Sequence, residues 1–306
     1  MKAKAFIYII LAGLTWGTTG IFVNFLAPYG FGTPQITFVR GTVAFLCMLV
    51  FLLIKQKDLL RTDRKSFFLM ACNGLLCCAT SIFYFLSLLR TSNATGVVLM
   101  YTAPVYVMLF SVFVWKERFS SLKLASIISM LVGCVLVAGV VGGFKVDALG
   151  LFFGVLSGIT YASYNVLTKH IMRRGANPMG ASTYTFLFMG IGAALICRPW
   201  QMPALIAKDP LVTILLLVGI GFVGCTLPYL FYTLAMRDLP AGTAASLGII
   251  EPMAATVFAA LILGQIPDPF QIVGIVLILA SVVLLGVAEN KLHHQKETED
   301  ARRTVE

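Results

Sequence analysis

The chain has 306 residues, of which 59% are hydrophobic and 12% charged, with a formal net charge of +10. A soluble domain carries about a quarter charged residues, and a fold in water leaves too much of its area exposed to hide this much apolar side chain. The composition therefore excludes a soluble enzyme, a disordered chain and a free nucleic-acid binder; the Lys and Arg excess is what a polytopic membrane protein gathers on its cytoplasmic loops.

About 20 apolar residues cross a bilayer as a helix. Ten such runs follow one another, at 5–26, 34–54, 67–89, 94–115, 122–140, 149–169, 179–197, 211–235, 242–263 and 270–288. The first begins after Lys2 and Lys4, as a signal peptide does, but its apolar stretch is longer and no small-residue cleavage site follows, so it is expected to remain. The connections are short, so the mass lies in the lipid bilayer. From Lys291 onward the tail is polar, and its His293 and His294 read as solvated neighbours. The seven cysteines all fall inside apolar runs at irregular spacing, which fits neither a disulfide framework nor a zinc site.

Basic residues set the sidedness. With the N-terminus in the cytoplasm, 18 of the 23 Lys and Arg fall on inner segments and 4 on outer ones, with Arg40 left inside a span. That bias is the positive-inside pattern, and an even number of spans places both termini in the cytoplasm.

The two halves resemble each other. Pro104 in YTAPVYVMLF and Pro252 in IIEPMAATVF stand 148 residues apart, and the same offset sets Phe83-Tyr84 on Phe231-Tyr232, Thr95 on Thr243 and Leu99 on Leu247. Near the start of each half, LAGLTWG matches LSGITYA at an offset of 145, so that Gly13 falls on Gly158 and Trp16 on Tyr161. Five spans per repeat is an odd number, so the second copy enters the membrane from the opposite side. Inverted repeats of this kind recur in secondary transporters, whose substrate site lies near the midplane between them. The expected fold is an all-α polytopic membrane protein of ten helices in two inverted five-helix repeats, 5–140 and 149–288, followed by a cytoplasmic tail at 289–306.

On LTWGTTGIFVN (Leu14 to Asn24), Arg40 after TFV, the fourth-span proline followed by WKERFS (Trp115 to Ser120) and EPMAATVFAALILGQ (Glu251 to Gln265), the chain resembles the drug/metabolite transporter superfamily, in its ten-helix EamA-type branch. The repeats of that family often close on glycine-glutamate; Glu117 fits in the first half, whereas Gly264-Gln265 carries an amide in the second. The resemblance implies export of amino acids or related small metabolites across a bacterial-type plasma membrane, commonly by exchange with protons or other coupling.

Polar groups at membrane depth are expensive and point to function. Glu251 is the one carboxylate well inside a span, and it is the candidate coupling residue for protons. Its neighbour Pro252 crowds the carbonyl of Gly248, as Pro104 crowds that of Met100 and Pro228 that of Gly224; each is either a packing kink or a hinge. Arg40 meets a substrate carboxylate, pairs with Glu251, or snorkels to the interface. Trp16 and Thr19 in the first span, Tyr161 and Asn165 in its repeat partner, and Tyr84, Tyr101 and Tyr232 are candidate cavity residues, with aromatic faces suited to an ammonium. Trp and Tyr also anchor helices at membrane interfaces.

No phosphate loop, metal cluster or catalytic triad occurs in the sequence, so no cofactor is expected and the chain is not read as an enzyme. The expected function is a secondary-active exporter of amino acids or related metabolites, whose partners are a small-molecule substrate, protons as the candidate coupling ion, and lipid, with no nucleic acid. Efflux of lipophilic cations is the second reading. A membrane-embedded enzyme acting on lipid is the third; it needs a His, Ser or acidic cluster at one depth, which the sequence lacks. Reporter fusions after residues 60 and 120 and at the C-terminus should read cytoplasmic, and one near Lys145 should read outside. An outside C-terminus would remove the even span count.

Overall fold

The computed structural model describes residues 2–103, 106, 121–137, 147–235, 250–281 and 283–284. Among these there is no strand. The helices are α1 (Lys2–Gly17), α2 (Thr19–Leu26), α3 (Thr33–Lys55), α4 (Arg64–Arg90), α5 (Asn93–Met100), α6 (Ser121–Val137), α7 (Ala148–Arg173), α8 (Pro178–Cys197), α9 (Met202–Ile206), α10 (Pro210–Gly221), α11 (Leu227–Ala235) and α12 (Ile250–Leu263). A further apolar helix, α13, covers Pro269–Ser281.

Six helical spans among the described residues are long and apolar enough to cross a membrane: Ile7–Tyr29, Thr33–Lys55, Arg64–Arg90, Ala148–Arg173, Pro178–Cys197 and Pro210–Tyr232. They stand at the first, second, third, sixth, seventh and eighth of the runs read from the sequence. The other four runs are described only in part, by α5, α6, α12 and α13; Pro104, Gly248, the WKERFS segment and the tail lie outside the described residues. The outer surface is apolar, with Leu195 82% and Leu261 78% exposed, as suits a bundle whose solvent is hydrocarbon.

Two spans differ from the continuous helices expected. The first is interrupted at Thr18, between α1 and α2. There the hydroxyls of Thr15 and Thr18 bond back to the carbonyls of Leu11 and Thr15, both at 2.7 Å, offering the backbone an alternative to its helical ladder. The eighth widens into a π turn at Phe222–Thr226, between α10 and α11.

The packing pattern is unchanged when the halves are exchanged. Helix α1 packs on α11 and α12, and its repeat counterpart α7 packs on α4 and α5. Glycines set both contacts: a Cβ on Gly13 would lie 2.6 Å from Ile250, and one on its counterpart Gly158 would lie 2.7 Å from Thr102. Ile250 and Thr102 stand 148 residues apart, the offset read from the sequence. Helix α3 packs on α8 along its length, and the two run antiparallel. Gln35 Nε2 donates to the Cys197 carbonyl at 3.2 Å, while Gly41 meets Gly190 midway and Gly180 meets the Leu59 carbonyl at the far end. Small residues permit this close approach between membrane helices.

The antiparallel pair α4 and α7 joins the halves at both of its ends by the same device. Asp63 caps α4 by accepting the Ser66 N–H at 3.1 Å and pairs with Arg174, at the C-terminal end of α7, at 3.2 Å. Asp147 caps α7 by accepting the Gly150 N–H at 2.8 Å and pairs with Arg90, in the last turn of α4, at 3.6 Å. Each acid sits at a helix N-terminus and each arginine at a helix C-terminus, the arrangement the helix dipole favours. The Ser66 hydroxyl and N–H, and then Arg174, hold the Asp63 carboxyl down at about 2. This cap is therefore complete above the ordinary carboxylate range and is lost as pH falls through about 2. Replacing Ser66 with alanine should raise the Asp63 midpoint toward the ordinary range in a carboxylate titration followed by NMR; an unmoved midpoint would leave Arg174 as the main cause.

Candidate functional site

Both halves contribute to one cavity of about 60 Å³ inside the bundle, space for a few waters or a compact solute. Of the candidates read from the sequence, Trp16, Thr19, Arg40, Tyr84, Tyr161 and Glu251 line it. They come from α1, α2, α3, α4, α7 and α12, so the first and second halves meet there.

Arg40 is held by three neighbours. Its Nη2 donates to the Gly224 carbonyl at 3.2 Å, its guanidinium carbon stands 5.5 Å from the centre of the Phe85 ring, and the Cys225 thiol lies against it. Its buried Nε has no hydrogen-bond partner among the described residues. Arg40 and Glu251 form no ion pair with each other in the described structure, so the pairing alternative is replaced by a carbonyl and an aromatic face. Glu251 instead accepts a hydrogen bond from the Tyr101 hydroxyl at 2.8 Å. Tyr101 reaches it because α5 stops at Met100, the residue four before Pro104, and because α5 and α12 run antiparallel, with the Asn93 N–H donating to Gln265 Oε1 at 3.0 Å at the other end.

The remaining wall is aromatic. Trp16 meets Tyr229 edge-on at 5.2 Å and Tyr232 at 5.8 Å; Phe186 meets Tyr229 edge-on at 4.8 Å, and Tyr161 stacks on Tyr164 at 6.0 Å. Tyr164 also hydrogen-bonds to Tyr229 and Thr168, and Thr168 accepts from Asn73 at 2.9 Å.

Three candidates sit elsewhere. Asn165 does not line the cavity, although it lies only about 40° round α7 from Tyr161; Tyr164, about 60° to the other side, lines it instead. Tyr232 stands behind Trp16 in a cluster with Ile9 and Ala235, and Tyr101 lies outside the lining, donating its hydroxyl to Glu251. Pro228 is buried beside the π turn, whereas Pro252 falls within α12 and Gly248, whose carbonyl it was expected to crowd, lies outside the described residues.

Several lining residues escaped the sequence reading. Cys77, Thr80 and Ser81 join Tyr84 on the cavity face of α4; their spacing of i, i+3, i+4 and i+7 is one helical stripe, which was visible in the sequence. Phe186 and Met189 also line the cavity, and nothing in their local sequence separates them from packing residues.

A helical membrane bundle whose two repeated halves enclose a polar cavity is the build of a secondary transporter. The chain belongs to the EamA-like transporter family, whose profile matches twice, at residues 3–139 and 148–287. It is 27% identical over 305 residues to an "uncharacterized transporter" of Clostridium kluyveri, spanning 96% of each chain. It is 27% identical over 276 residues to an "uncharacterized transporter" of Archaeoglobus fulgidus, spanning 90% of this chain and 94% of that one. The Bacillus subtilis "uncharacterized transporter YxxF" is 26% identical over 295 residues, 92% of this chain and 89% of its own. One crystal structure shares the fold at a TM-score of 0.64 and 17% identity, over 95% of this chain and 99% of that one.

An ammonium over an aromatic face gains about 0.5–2 kcal/mol, and Trp16 presents such a face to the cavity. Trp16→Ala should therefore weaken substrate affinity about tenfold without affecting membrane insertion, and Tyr161→Ala should act in the same direction, both measured by competition in proteoliposomes. Unchanged affinity in both variants would make the pair packing residues.

Proposed function

We propose that this transporter exports amino acids or related small zwitterionic metabolites by alternating access through the cavity between its halves, in exchange for protons, with both termini in the cytoplasm. The observation that carries the reading is the presence of one cation, Arg40, and one acid, Glu251, on the same small cavity, bonded to the Gly224 carbonyl and the Tyr101 hydroxyl rather than to each other. A zwitterion supplies the missing counter-charges: its carboxylate meets Arg40, and its ammonium meets Glu251 and the aromatic faces beside it.

Exchange follows from competition at Glu251. The ionised carboxylate attracts the ammonium, whereas the protonated acid offers only a neutral hydrogen bond. A proton arriving from outside displaces the substrate outward; its release to the cytoplasm frees the site for the next substrate. Tyr101 holds the carboxyl in one orientation through the change. Efflux of lipophilic cations draws support from the same acid and aromatics, but Arg40 on the wall opposes a substrate that carries positive charge alone.

The test is transport in proteoliposomes of L-alanine, L-threonine and L-methionine beside their carboxamides and the corresponding amines. The amino acids should be preferred. Glu251→Gln keeps the shape and removes the titration, so it should abolish concentration of substrate by an imposed pH gradient. If Glu251→Gln still concentrates substrate against that gradient, Glu251 has no part in coupling. A preference for the amines over the amino acids would favour cation efflux instead.

A further inference from the structure

In a regular helix the Gly224 carbonyl would accept the N–H of residue 228, but Pro228 has none and its ring crowds that carbonyl. The eighth span opens there into the π turn, closed by the Thr226 hydroxyl on the Gly221 carbonyl at 2.9 Å and by the Leu227 N–H on the Phe222 carbonyl. A carbonyl released at membrane depth must find a donor within the protein. Gly224 finds two, both from the first half: Thr19 Oγ1 at 3.3 Å and Arg40 Nη2 at 3.2 Å. Glycine permits the approach, since a Cβ at 224 would lie 3.2 Å from Thr19 Oγ1.

We infer that Pro228, Gly224 and Thr19 are positioning residues that fix the Arg40 guanidinium at the cavity wall and thereby set the transporter's preference for a carboxylate-bearing substrate. The carbonyl holds Nη2 on one side and the Phe85 face supports the guanidinium plane. The guanidinium carries further N–H groups for a carboxylate at the cavity it lines, while its Nε is buried without a partner among the described residues. With an N–H at 228, the Gly224 carbonyl returns to its own helix and Arg40 loses the partner that orients it. The inference rests on the reading of Arg40 as the carboxylate site.

The experiment measures the ratio of transport efficiency for each of L-alanine, L-threonine and L-methionine to that for its carboxamide, in wild type, Arg40→Gln, Pro228→Ala and Gly224→Ala. A loss of fold or of alternating motion lowers acid and amide alike and leaves the ratio at its wild-type value, so the ratio separates positioning from stability. The expected result is a wild-type preference for the acid that Arg40→Gln abolishes. Pro228→Ala should lower it by about tenfold, the lower end for a hydrogen bond to a charged group. Gly224→Ala, which pushes Thr19 away without restoring an N–H, should lower it in the same direction and keeps the test open if Pro228→Ala fails to insert. If Arg40→Gln loses the preference while the variants at 228 and 224 keep it, the positioning role is wrong and the carboxylate reading stands. If wild type shows no preference, or Arg40→Gln retains it, the carboxylate reading falls and the positioning role with it.

Discussion

A guanidinium held inside an apolar bundle has to be received by something, because its charge at membrane depth is costly and an arginine does not deprotonate to escape the cost. Among the described residues no acid forms an ion pair with Arg40. The chain instead frees a backbone carbonyl by placing Pro228 four residues after Gly224, opens the span into a π turn, and lays Phe85 beneath the guanidinium plane. A carbonyl dipole and an aromatic face stabilise a cation without neutralising it. The positive charge therefore stays available at the cavity, where a full ion pair with Glu251 would have consumed both charges.

The frame around this site is symmetric and the chemistry is not. Exchanging the halves maps the α1 contacts onto those of α7 and the α3–α8 crossing onto itself. Such a frame allows two conformations, open to opposite sides, to be close in energy. Each end of the α4–α7 pair is tied by an aspartate that caps one helix and an arginine that ends the other. The charged residues of the cavity obey no such symmetry. At the repeat offsets Arg40 falls among Thr185–Phe188 and Glu251 falls on Ala103, none of them charged. Among the lining residues, Trp16 has its counterpart in Tyr161 and Cys77 in Cys225, and Tyr84 falls on Tyr232.

This division also explains what was legible in the sequence. Apolar runs and the internal offset are long-range averages, so six spans stand where they were read and the Gly13–Ile250 contact repeats as Gly158–Thr102. Arg40 and Glu251 were conspicuous because a charge in an apolar run is rare. The helix rotation of α7 was not, since Tyr164 and Asn165 both lie within a turn of Tyr161 and only the neighbouring helices decide which one faces inward. The donors to the Gly224 carbonyl were hidden for the same reason: Pro228 announces a freed carbonyl, but Thr19 and Arg40 lie about 200 residues away in the chain. The capping acids Asp63 and Asp147 mark helix starts locally, whereas their arginine partners depend on how the two halves pack.

The central claim is that substrate occupies the cavity between the halves beside Arg40. Cys77 lines that cavity near Arg40 and serves as a reporter once the other six cysteines are replaced by alanine. Its rate of reaction with a small maleimide should fall in the presence of a transported amino acid at saturating concentration, and should stay at its unliganded value with the carboxamide of that amino acid in its place at the same concentration. Labelling of Cys77 that is indifferent to an amino acid saturating transport would place the substrate elsewhere and contradict the account.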